Sequence, residues 1–364
     1  MSEERAILHV DFDHFYAQCE EIRQPSLRAL PVCVCIYSDR GGDSGAVATA
    51  NYLARKFGAK SGLSISRAKR LLEGTDARFI PVDFEHYSDV SEKAMAIMEG
   101  YADVFEYVGR DEAYLDVTER TGGSLKTAAH LAQQIKNGIR ESLRLTCSAG
   151  VSRNKLVSKI ASGYKKPDGL TVVGAGSEES FLDGLTLRNI PGIGGKTAKR
   201  LGAAGMTTVA AVRAADVFDL QRTFGRKTGT YVYNSVRGIN EDPVHERPPS
   251  VQFSKIVTLK RNTTDPNELA EALRGVCGSL HSTLDERDMR FRLVGIQFVH
   301  ADLSIRTRSR TLRNHAASLE KLQEVSEQLL AGALKDTIPP VRRLGVKVSD
   351  LTEAVGQQAI SNYF

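Results

Sequence analysis

The stretch ILHVDFDHFYAQCEE, residues 7–21, decides how the first part of this 364-residue chain folds. It begins as an apolar strand and ends in two carboxylates, Asp11 and Asp13, which the aromatic residues Phe15 and Tyr16 follow at once. Ionised groups beside a buried strand carry a high desolvation cost unless they are paired or bind a metal. The rest of the chain must therefore supply a partner for these acids.

The composition indicates a folded chain of several domains. Its length suggests about two to four units, and 41% hydrophobic with 26% charged residues favours folding over disorder. The N-terminal MSEER resembles neither a signal peptide nor a membrane anchor. The five cysteines show no CxxC spacing, so we expect no zinc site and a reducing compartment. Cys33 and Cys35 alternate in LPVCVCIY as small apolar residues of a buried strand do. We expect a cytoplasmic protein that does not bind a membrane.

Positive charge is concentrated near the C-terminus. The whole chain carries +5, whereas residues 247–348 hold 17 Lys and Arg against 11 Asp and Glu. A basic segment of this kind is a weak indication of nucleic-acid binding.

The element pattern predicts an α+β chain of several domains. Residues 5–152 interleave strands and helices, and FEYVGRDEAYLDVT, 105–118, reads as strand, turn, strand, which favours an antiparallel sheet over a dinucleotide fold. Short helices with glycine turns fill 177–238. After the proline-rich linker INEDPVHERPPS, 239–250, a β-α-β-β-α-β order predicts a small sheet with two helices on one face.

Asp111 and Glu112, in GRDEAYLD, are the predicted partners of Asp11. Both acidic sites lie at or near strand ends, and three carboxylates converging from two strands would form a hard-oxygen pocket for Mg²⁺. Two such ions suit in-line phosphoryl transfer. A solvated acidic pair at a hairpin turn is the alternative, and the strand context of both sites favours the metal pocket.

Three residues can supply donors to phosphate. Tyr52 and Arg55 share one predicted helix, and Lys166 lies in the loop KKPDG. Arginine offers a fork and lysine a point charge to phosphate oxygens. Each alone would be an ordinary surface residue, so only the group indicates a function.

Two segments indicate contact with a nucleic-acid backbone. IPGIGGKTAKRLGAAG, 190–205, matches a helix-hairpin-helix turn that exposes N–H groups to an anion, and residues 224–238 look like a degenerate second copy. In LSIRTRSRTL three arginines alternate, so on a strand they project from one face about 6.6 Å apart. A purely structural helix turn and a charged, protected edge strand are the respective alternatives.

The tail QQAISNYF ends on two aromatic residues. Four of its residues could form a helical turn that presents an apolar plug to a partner's pocket, or could fold back onto their own domain. These residues are Gln357, Ile360, Tyr363 and Phe364.

Six ordered blocks make the chain resemble the Y-family translesion DNA polymerases, most closely their archaeal DNA polymerase IV-like branch. The blocks are DFDHFYAQCEE, SGAVATANYLARKFG, DEAYLD, GVSRNKLVSKIAS, KPDG and PGIG. The resemblance implies a right-hand polymerase. Its expected parts are a palm (1–18 and 82–172), fingers (19–81), a helix-hairpin-helix thumb (173–238), the linker (239–250), a little finger (251–348) and a tail (349–364).

The resemblance also implies roles for single residues. Asp11, Asp111 and Glu112, with the Phe12 carbonyl, would hold two Mg²⁺ ions, and Tyr16, beside Phe15, would be the steric gate against ribose. The remaining roles follow the family blocks. Thr49, Tyr52, Arg55 and Lys166 would bind the triphosphate of a dNTP; Ala46 and Ala48 would face the nascent base pair; Gly192, Gly194, Lys196, Arg306, Arg308, Arg310 and Arg313 would contact DNA; and Gln357, Ile360, Tyr363 and Phe364 would bind a ring-shaped sliding clamp.

The implied activity is low-fidelity DNA synthesis past damaged bases by a monomer associated with the nucleoid. The chain departs from the family where Gly109 and Arg110 replace the usual Ser-x before the Asp-Glu pair, and where His14 replaces an aromatic residue or Ser. A two-metal nuclease and a non-catalytic helix-hairpin-helix DNA-binding protein are the competing hypotheses.

Overall fold

The computed structural model describes residues 4–246, 250–335 and 339–353. They divide into two compact units. The second unit comprises Tyr37–Gly45, Ser64–Ser66 and the described residues from 250 onward, and the first unit comprises the others.

The described residues form strands and α-helices in the mixed order expected of an α+β chain. The strands are β1 (Ile7–Phe12), β2 (Val32–Tyr37), β3 (Gly45–Ala50), β4 (Arg78–Pro81), β5 (Val104–Gly109), β6 (Glu112–Asp116), β7 (Cys147–Ser152), β8 (Leu170–Val172), β9 (Gln252–Thr263), β10 (Met289–His300), β11 (Ile305–Ala316) and β12 (Val341–Glu353). The helices are α1 (Phe15–Arg23), α2 (Tyr52–Lys56), α3 (Ile65–Leu71), α4 (Phe84–Glu99), α5 (Thr118–Thr121), α6 (Leu125–Leu143), α7 (Lys155–Tyr164), α8 (Glu178–Asp183), α9 (Gly195–Ala203), α10 (Val209–Arg213), α11 (Val217–Phe224), α12 (Arg226–Ser235), α13 (Pro266–Asp285) and α14 (Leu319–Leu334).

A five-stranded sheet of order β5-β6-β1-β7-β8 forms the centre of the first unit. Strand β1 pairs antiparallel with β6 and β7, as expected, and the short β8 adds a parallel edge. Alternate residues of β1 face opposite ways: Leu8 and Val10 pack in the core with α4 and α6, whereas His9 faces α7. The sheet is therefore covered on both faces.

A three-stranded sheet of order β3-β2-β4 lies between β1 and α4 in sequence. Cys33 and Cys35 are fully buried on β2, which confirms the expectation for them. Apolar alternation in the sequence predicts β2 but neither β3 nor β4.

Helices α8–α12 form a separate apolar cluster, centred on residues such as Leu201, Leu220 and Val232. Helices α11 and α12 pack tightly because Gly229 has no side chain. A Cβ there would lie 2.5 Å from the Gln221 backbone.

The second unit contains a four-stranded sheet of order β11-β10-β12-β9. Its core is shared with α13 and α14, and the chain order is the predicted β-α-β-β-α-β. Strand β12 continues to Glu353, past residue 348, where the expected little finger ends. No helix in the described ranges is both long and apolar enough to cross a bilayer.

Candidate active site

The three acids predicted to bind metal lie side by side on neighbouring strands. Asp11 on β1 is paired directly with Glu112 on β6 in the antiparallel register. The Phe12 N–H donates to the Asp111 carbonyl oxygen at 2.8 Å, so the turn residue lies beside them. Residues paired in this way share a face, with Cβ atoms about 4.5–5.5 Å apart. The structure therefore brings the predicted acids together.

Lysine side chains neutralise two of these acids. Lys166 forms an ion pair with Asp11, and its Nζ also donates to the Phe12 carbonyl oxygen at 3.3 Å. Lys159 on α7 forms an ion pair with Glu112. One ammonium group thus bridges two of the oxygen ligands predicted for a metal, which identifies this point as a place that attracts a cation.

Burial and neighbouring groups shift the pKa values of the acids in different directions. Burial raises the pKa of Asp11 despite the opposing charge of Lys166. Burial, with the charge of Glu112, raises the pKa of Asp111. The hydrogen bond with His9 lowers the pKa of Glu112 to about 2, and Lys159 acts in the same direction. Closely spaced, partly buried carboxylates of this kind are stabilised in their ionised form by a cation.

The donor set suits a hard divalent cation, because it consists of carboxylate oxygens and one carbonyl oxygen. As the side chains stand, no group of three or more His, Cys, Asp and Glu residues in the described part of the chain is arranged to hold a metal. Lys166 and Lys159 each form an ion pair with one of the acids and place a positive charge beside it. The chemistry of the donor set therefore fits a divalent metal.

Asp13 has different partners from Asp11. Its side chain is fully buried, and it accepts hydrogen bonds from Ser148 Oγ at 2.8 Å and from Thr146 Oγ1 at 2.9 Å. The Asp168 N–H also donates to it at 2.8 Å. Three donors satisfy this carboxylate without a metal. Of the two acids in DFD, only Asp11 thus belongs to the candidate metal pocket.

Aromatic residues of α1 and α4 fix the side chain of Tyr16, the predicted steric gate. Its ring stacks on Tyr87 with 4.5 Å between centroids and 13° between planes. The Phe84 ring meets the Tyr16 ring edge-on, with 6.1 Å between centroids. The ring of the buried Phe15 is tilted against the Tyr16 ring, with 5.5 Å between centroids. Burial raises the pKa of Tyr16, and Arg110 opposes that shift. The ring therefore forms a rigid wall.

Helix α2 brings together two residues predicted to bind triphosphate. The Arg55 guanidinium lies 4.9 Å from the centroid of the Tyr52 ring, and Arg55 Nε donates to the Ala50 carbonyl oxygen at 2.8 Å. Asn51 caps the helix by accepting from the Ala54 N–H at 2.9 Å. The capped helix thus sets the positions of both side chains.

Strand β3, directly before α2, carries Ala46, Ala48 and Thr49, all partly exposed.

His14 contacts the Tyr52 ring edge-on at 5.0 Å, and its Nε2 lies 3.0 Å from Glu21 Oε2. His14 therefore supports the Tyr52 ring at the position where the family has an aromatic residue or Ser.

Helix α4 anchors the turn that contains the unusual Gly109 and Arg110. The Arg110 carbonyl oxygen accepts from Ser91 Oγ at 2.6 Å, and the Nε of the Arg110 side chain donates to Ser88 Oγ at 3.1 Å. A Cβ at Gly109 would lie 3.4 Å from Asp111 Oδ1, a tight contact. The turn is therefore fixed by its contacts with α4 without the usual Ser, and Gly109 leaves space beside Asp111.

The predicted helix-hairpin-helix turn is present. Gly192 has φ +80°, and a Cβ there would lie 2.5 Å from the Tyr231 ring. Tyr231 Oη donates to the Pro191 carbonyl oxygen at 2.7 Å. Gly194 caps α9, whose first turn contains Lys196. The second copy is also a helix, glycine, helix arrangement, with Gly225 at φ +82° between α11 and α12.

The alternating arginines project from one face of β11, which is an edge strand of its sheet. Each is exposed, and each pairs with a buried residue of β10. The pairs are Arg306 with Phe298, Arg308 with Ile296 and Arg310 with Val294. This face is the one that packs on the helices, and Arg310 donates to Gln328 of α14. Arg313 is exposed near the end of the same strand.

The tail residues Gln357, Ile360, Tyr363 and Phe364 lie outside the described residues.

Two further residues, which the sequence motifs do not predict, belong to the site. His9 precedes Asp11 by two residues, so both share a face of β1. Its Nε2 lies 3.3 Å from Glu112 Oε2, and a 2.8 Å hydrogen bond joins its Nδ1 to Ser162 Oγ. Lys159 pairs with the same Glu112. The strand period could have identified His9, whereas Lys159 required the packing of α7 on β1.

Sequence comparisons match most of the chain to one family. Residues 10–163 match the impB/mucB/samB family, residues 188–240 the thumb domain of DNA polymerase-iota, and residues 250–361 the impB/mucB/samB family C-terminal domain. DNA polymerase IV of Nitrosopumilus maritimus is 57% identical over 363 residues, which cover 100% of both chains. DNA polymerase IV of Saccharolobus solfataricus is 35% identical over 350 residues, or 96% of this chain and 97% of the relative.

Solved structures agree in fold. The Y-family DNA polymerase chimera Dbh-Dpo4(243-245)-Dbh superposes with a TM-score of 0.88 at 31% identity, covering 96% of this chain and 99% of the chimera. An insertion ternary complex of Dbh DNA polymerase gives 0.68 at 30% identity with the same coverage. These matches confirm the predicted α+β polymerase architecture and the resemblance drawn from the sequence motifs. The chain therefore belongs to the impB/mucB/samB family, the Y family of DNA polymerases, whose fold implies dependence on divalent metal.

Proposed function

We propose that this Y-family DNA-directed DNA polymerase copies damaged template DNA with low fidelity. The observation that carries the proposal is the register of β1 against β6, in which Asp11 lies opposite Glu112 with Asp111 beside them. The primer 3′-OH attacks the α-phosphorus of a dNTP, and pyrophosphate leaves. Primer–template DNA and dNTP are thus the substrates, as ternary complexes of Dbh suggest by analogy.

Asp11, Asp111, Glu112 and the Phe12 carbonyl are the proposed ligands of two Mg²⁺ ions. When bound, Mg²⁺ supplies Lewis acidity toward the 3′-OH and neutralises triphosphate charge. Lys166 would exchange its contact with Asp11 for one with a triphosphate oxygen, because phosphate offers a more negative partner. His9 keeps Glu112 ionised and oriented through its 3.3 Å contact.

The remaining residues bind and select the substrates. Tyr52 and Arg55, held by α2, with Thr49 at its entrance, contact the triphosphate, and Arg55 supplies the planar fork. The wall formed by Tyr16 and Phe15 excludes a ribose 2′-OH. Low fidelity follows from the small side chains of β3 over the nascent base pair, since little bulk tests the shape of the base; these are Ala46 and Ala48.

Residues outside the catalytic centre hold the DNA through contacts that do not depend on base sequence. The thumb turn offers backbone N–H groups at Gly192 and Gly194 and the ammonium group of Lys196, and β11 offers exposed arginines for phosphates. These arginines are Arg306, Arg308, Arg310 and Arg313. We further propose palm, fingers, thumb and little-finger domains with the boundaries given above, a monomeric enzyme associated with the nucleoid, and binding of a sliding clamp through the tail.

Extension across an abasic template site tests this proposal. We expect insertion opposite the abasic site at a rate within about 100-fold of the rate on undamaged DNA, because the open strand β3 does not require a complete base pair. A primer that shortens with time would instead indicate the nuclease hypothesis. DNA binding without any change in primer length would indicate a non-catalytic binding protein.

A further inference from the structure

A buried lysine on α6 holds the loop that carries Lys166, residues 165–169. The side chain of Lys136 on α6 is 3% exposed. Its Nζ donates to the carbonyl oxygens of Cys147 at 3.0 Å, Asp168 at 2.6 Å and Gly169 at 2.9 Å. It also lies 3.0 Å from Asp168 Oδ1. A buried ammonium group with this many acceptors is fully satisfied, so its position is closely defined.

A buried carboxylate holds the same loop from the other side. Asp13 accepts from the Asp168 N–H at 2.8 Å. Ser148 Oγ, which donates to Asp13 at 2.8 Å, accepts from the Gly169 N–H at 3.1 Å. Asp13 and Lys136 therefore bind the N–H and the carbonyl of one residue, Asp168.

The backbone of Asp168 needs such support. Its φ of +55° lies in the left-handed region, which residues other than glycine seldom occupy. Such a conformation persists when the surrounding structure fixes it, and it occurs often at functional sites. Lys166 lies two residues earlier, so the geometry at Asp168 determines where the Lys166 ammonium group can reach.

We propose that Asp13 and Lys136 are positioning residues that hold Lys166 at the triphosphate of the incoming nucleotide. The inference rests on the proposed role of Lys166 in binding that triphosphate. Neither Asp13 nor Lys136 touches the substrate. They act by fixing the backbone of the loop between α7 and β8, so that the Lys166 side chain has only to exchange its contact with Asp11 when the nucleotide arrives.

Steady-state single-nucleotide insertion on full-length protein with primer–template DNA and dNTP tests the inference. We expect Lys136→Met to raise KM for dNTP about tenfold while kcat stays within about threefold, because the loss is one of triphosphate binding. Lys136→Arg, which keeps charge and donors, should recover part of the affinity. Asp13→Asn removes acceptor capacity from the opposite side and should also raise KM, which provides a second variant if Lys136→Met does not fold.

Arg140→Gln is the matched control. Arg140 also pairs with the Asp168 carboxylate, but the two side chains are 47% and 39% exposed, and exposed pairs contribute little. We expect its KM to stay within about twofold of the wild-type value. An equal rise in this control would overturn the inference, because any change near Asp168 would then suffice.

The double variant Lys136→Met with Lys166→Ala separates positioning from general damage. If Lys136 acts through Lys166, the Lys136→Met substitution should raise KM no further in a protein that already carries Lys166→Ala. A full tenfold rise in that background would overturn the inference. If Lys166→Ala alone leaves KM unchanged, the proposed role of Lys166 fails. If Lys166→Ala raises KM but neither Lys136→Met nor Asp13→Asn does, only the positioning role fails.

Discussion

At the scale of single residues, burial and direction decide what each acid of DFD can do. Asp11 shares a face of β1 with His9, and its partly exposed side chain contacts Lys166. Asp13, two residues later, is fully enclosed by donors from the chain itself. The same residue type therefore serves a candidate metal pocket in one case and loop geometry in the other.

Replacement of Tyr16 by Ala should admit ribonucleotides. The ring stacked on Tyr87 is the wall that we expect to meet a 2′-OH, and its loss should lower discrimination against rNTP by about 100-fold. The ratio of kcat/KM for dNTP and rNTP measures the effect, with Tyr16→Phe as a control that keeps the ring. Unchanged discrimination in Tyr16→Ala would remove the steric-gate assignment.

The cysteine thiols should be inert in the folded protein. All five are free and buried, and burial raises the pKa to about 11 for Cys33 and to about 12 for Cys19, Cys35 and Cys147. Because the thiolate is the reactive form, a raised pKa leaves few reactive molecules at pH 8. Thiol titration should give close to none of the five in native protein and five in denaturant. Rapid modification of native protein would contradict the buried positions.

At the scale of elements, close approach in the thumb turn requires glycine at residue 192. Gly192→Ala combines a left-handed φ with a Cβ 2.5 Å from Tyr231, so the turn must shift. We expect at least about a tenfold weaker affinity for primer–template DNA, measured by fluorescence anisotropy at fixed salt. Gly202→Ala on α9, where a Cβ meets nothing within 4 Å, is the control. Equal affinities for both variants would exclude this turn from DNA binding.

The elements also show how far sequence patterns reach. Alternation and helical periodicity predicted β1, β2 and the β-α-β-β-α-β order of the second unit, because each has a clear apolar face. Strands β3, β4 and β8 were missed. Strands β4 and β8 have only four and three residues, and β3, GAVATA, has small side chains apart from Val47 and so gives no clear alternation. Such strands are defined by their neighbours in the sheet and not by their own sequence.

The candidate site was predictable where chemistry is local to a motif. Asp11, Asp111 and Glu112 were identified as partners, and the register of β1 with β6 brings them together. The ion pair between Lys159 and Glu112 was not predictable, because it depends on the packing of α7 across the sheet. The partners of Asp13 likewise come from residues 146–168, too distant in sequence for any spacing rule.

At the scale of the whole molecule, chemistry and attachment should be separable. The acids, the gate and the loop of Lys166 all lie in the first unit, whereas the proposed clamp-binding residues Gln357–Phe364 lie at the end of the chain. Deletion of 357–364 should leave extension of short primers within about twofold of wild type and abolish stimulation by a sliding clamp. Primer extension with and without clamp measures both effects. Stimulation that survives the deletion would contradict the role of the tail.

The central claim is that Asp11, Asp111 and Glu112 form one catalytic centre for nucleotidyl transfer. Single-turnover insertion of one dNTP by the Asp111→Asn, Glu112→Gln double variant, with Mg²⁺ and a primer–template, tests it most directly. We predict a rate at least about 1,000-fold below wild type, with DNA affinity within about threefold. A variant that binds DNA equally well and inserts nucleotide within about tenfold of the wild-type rate would contradict the claim.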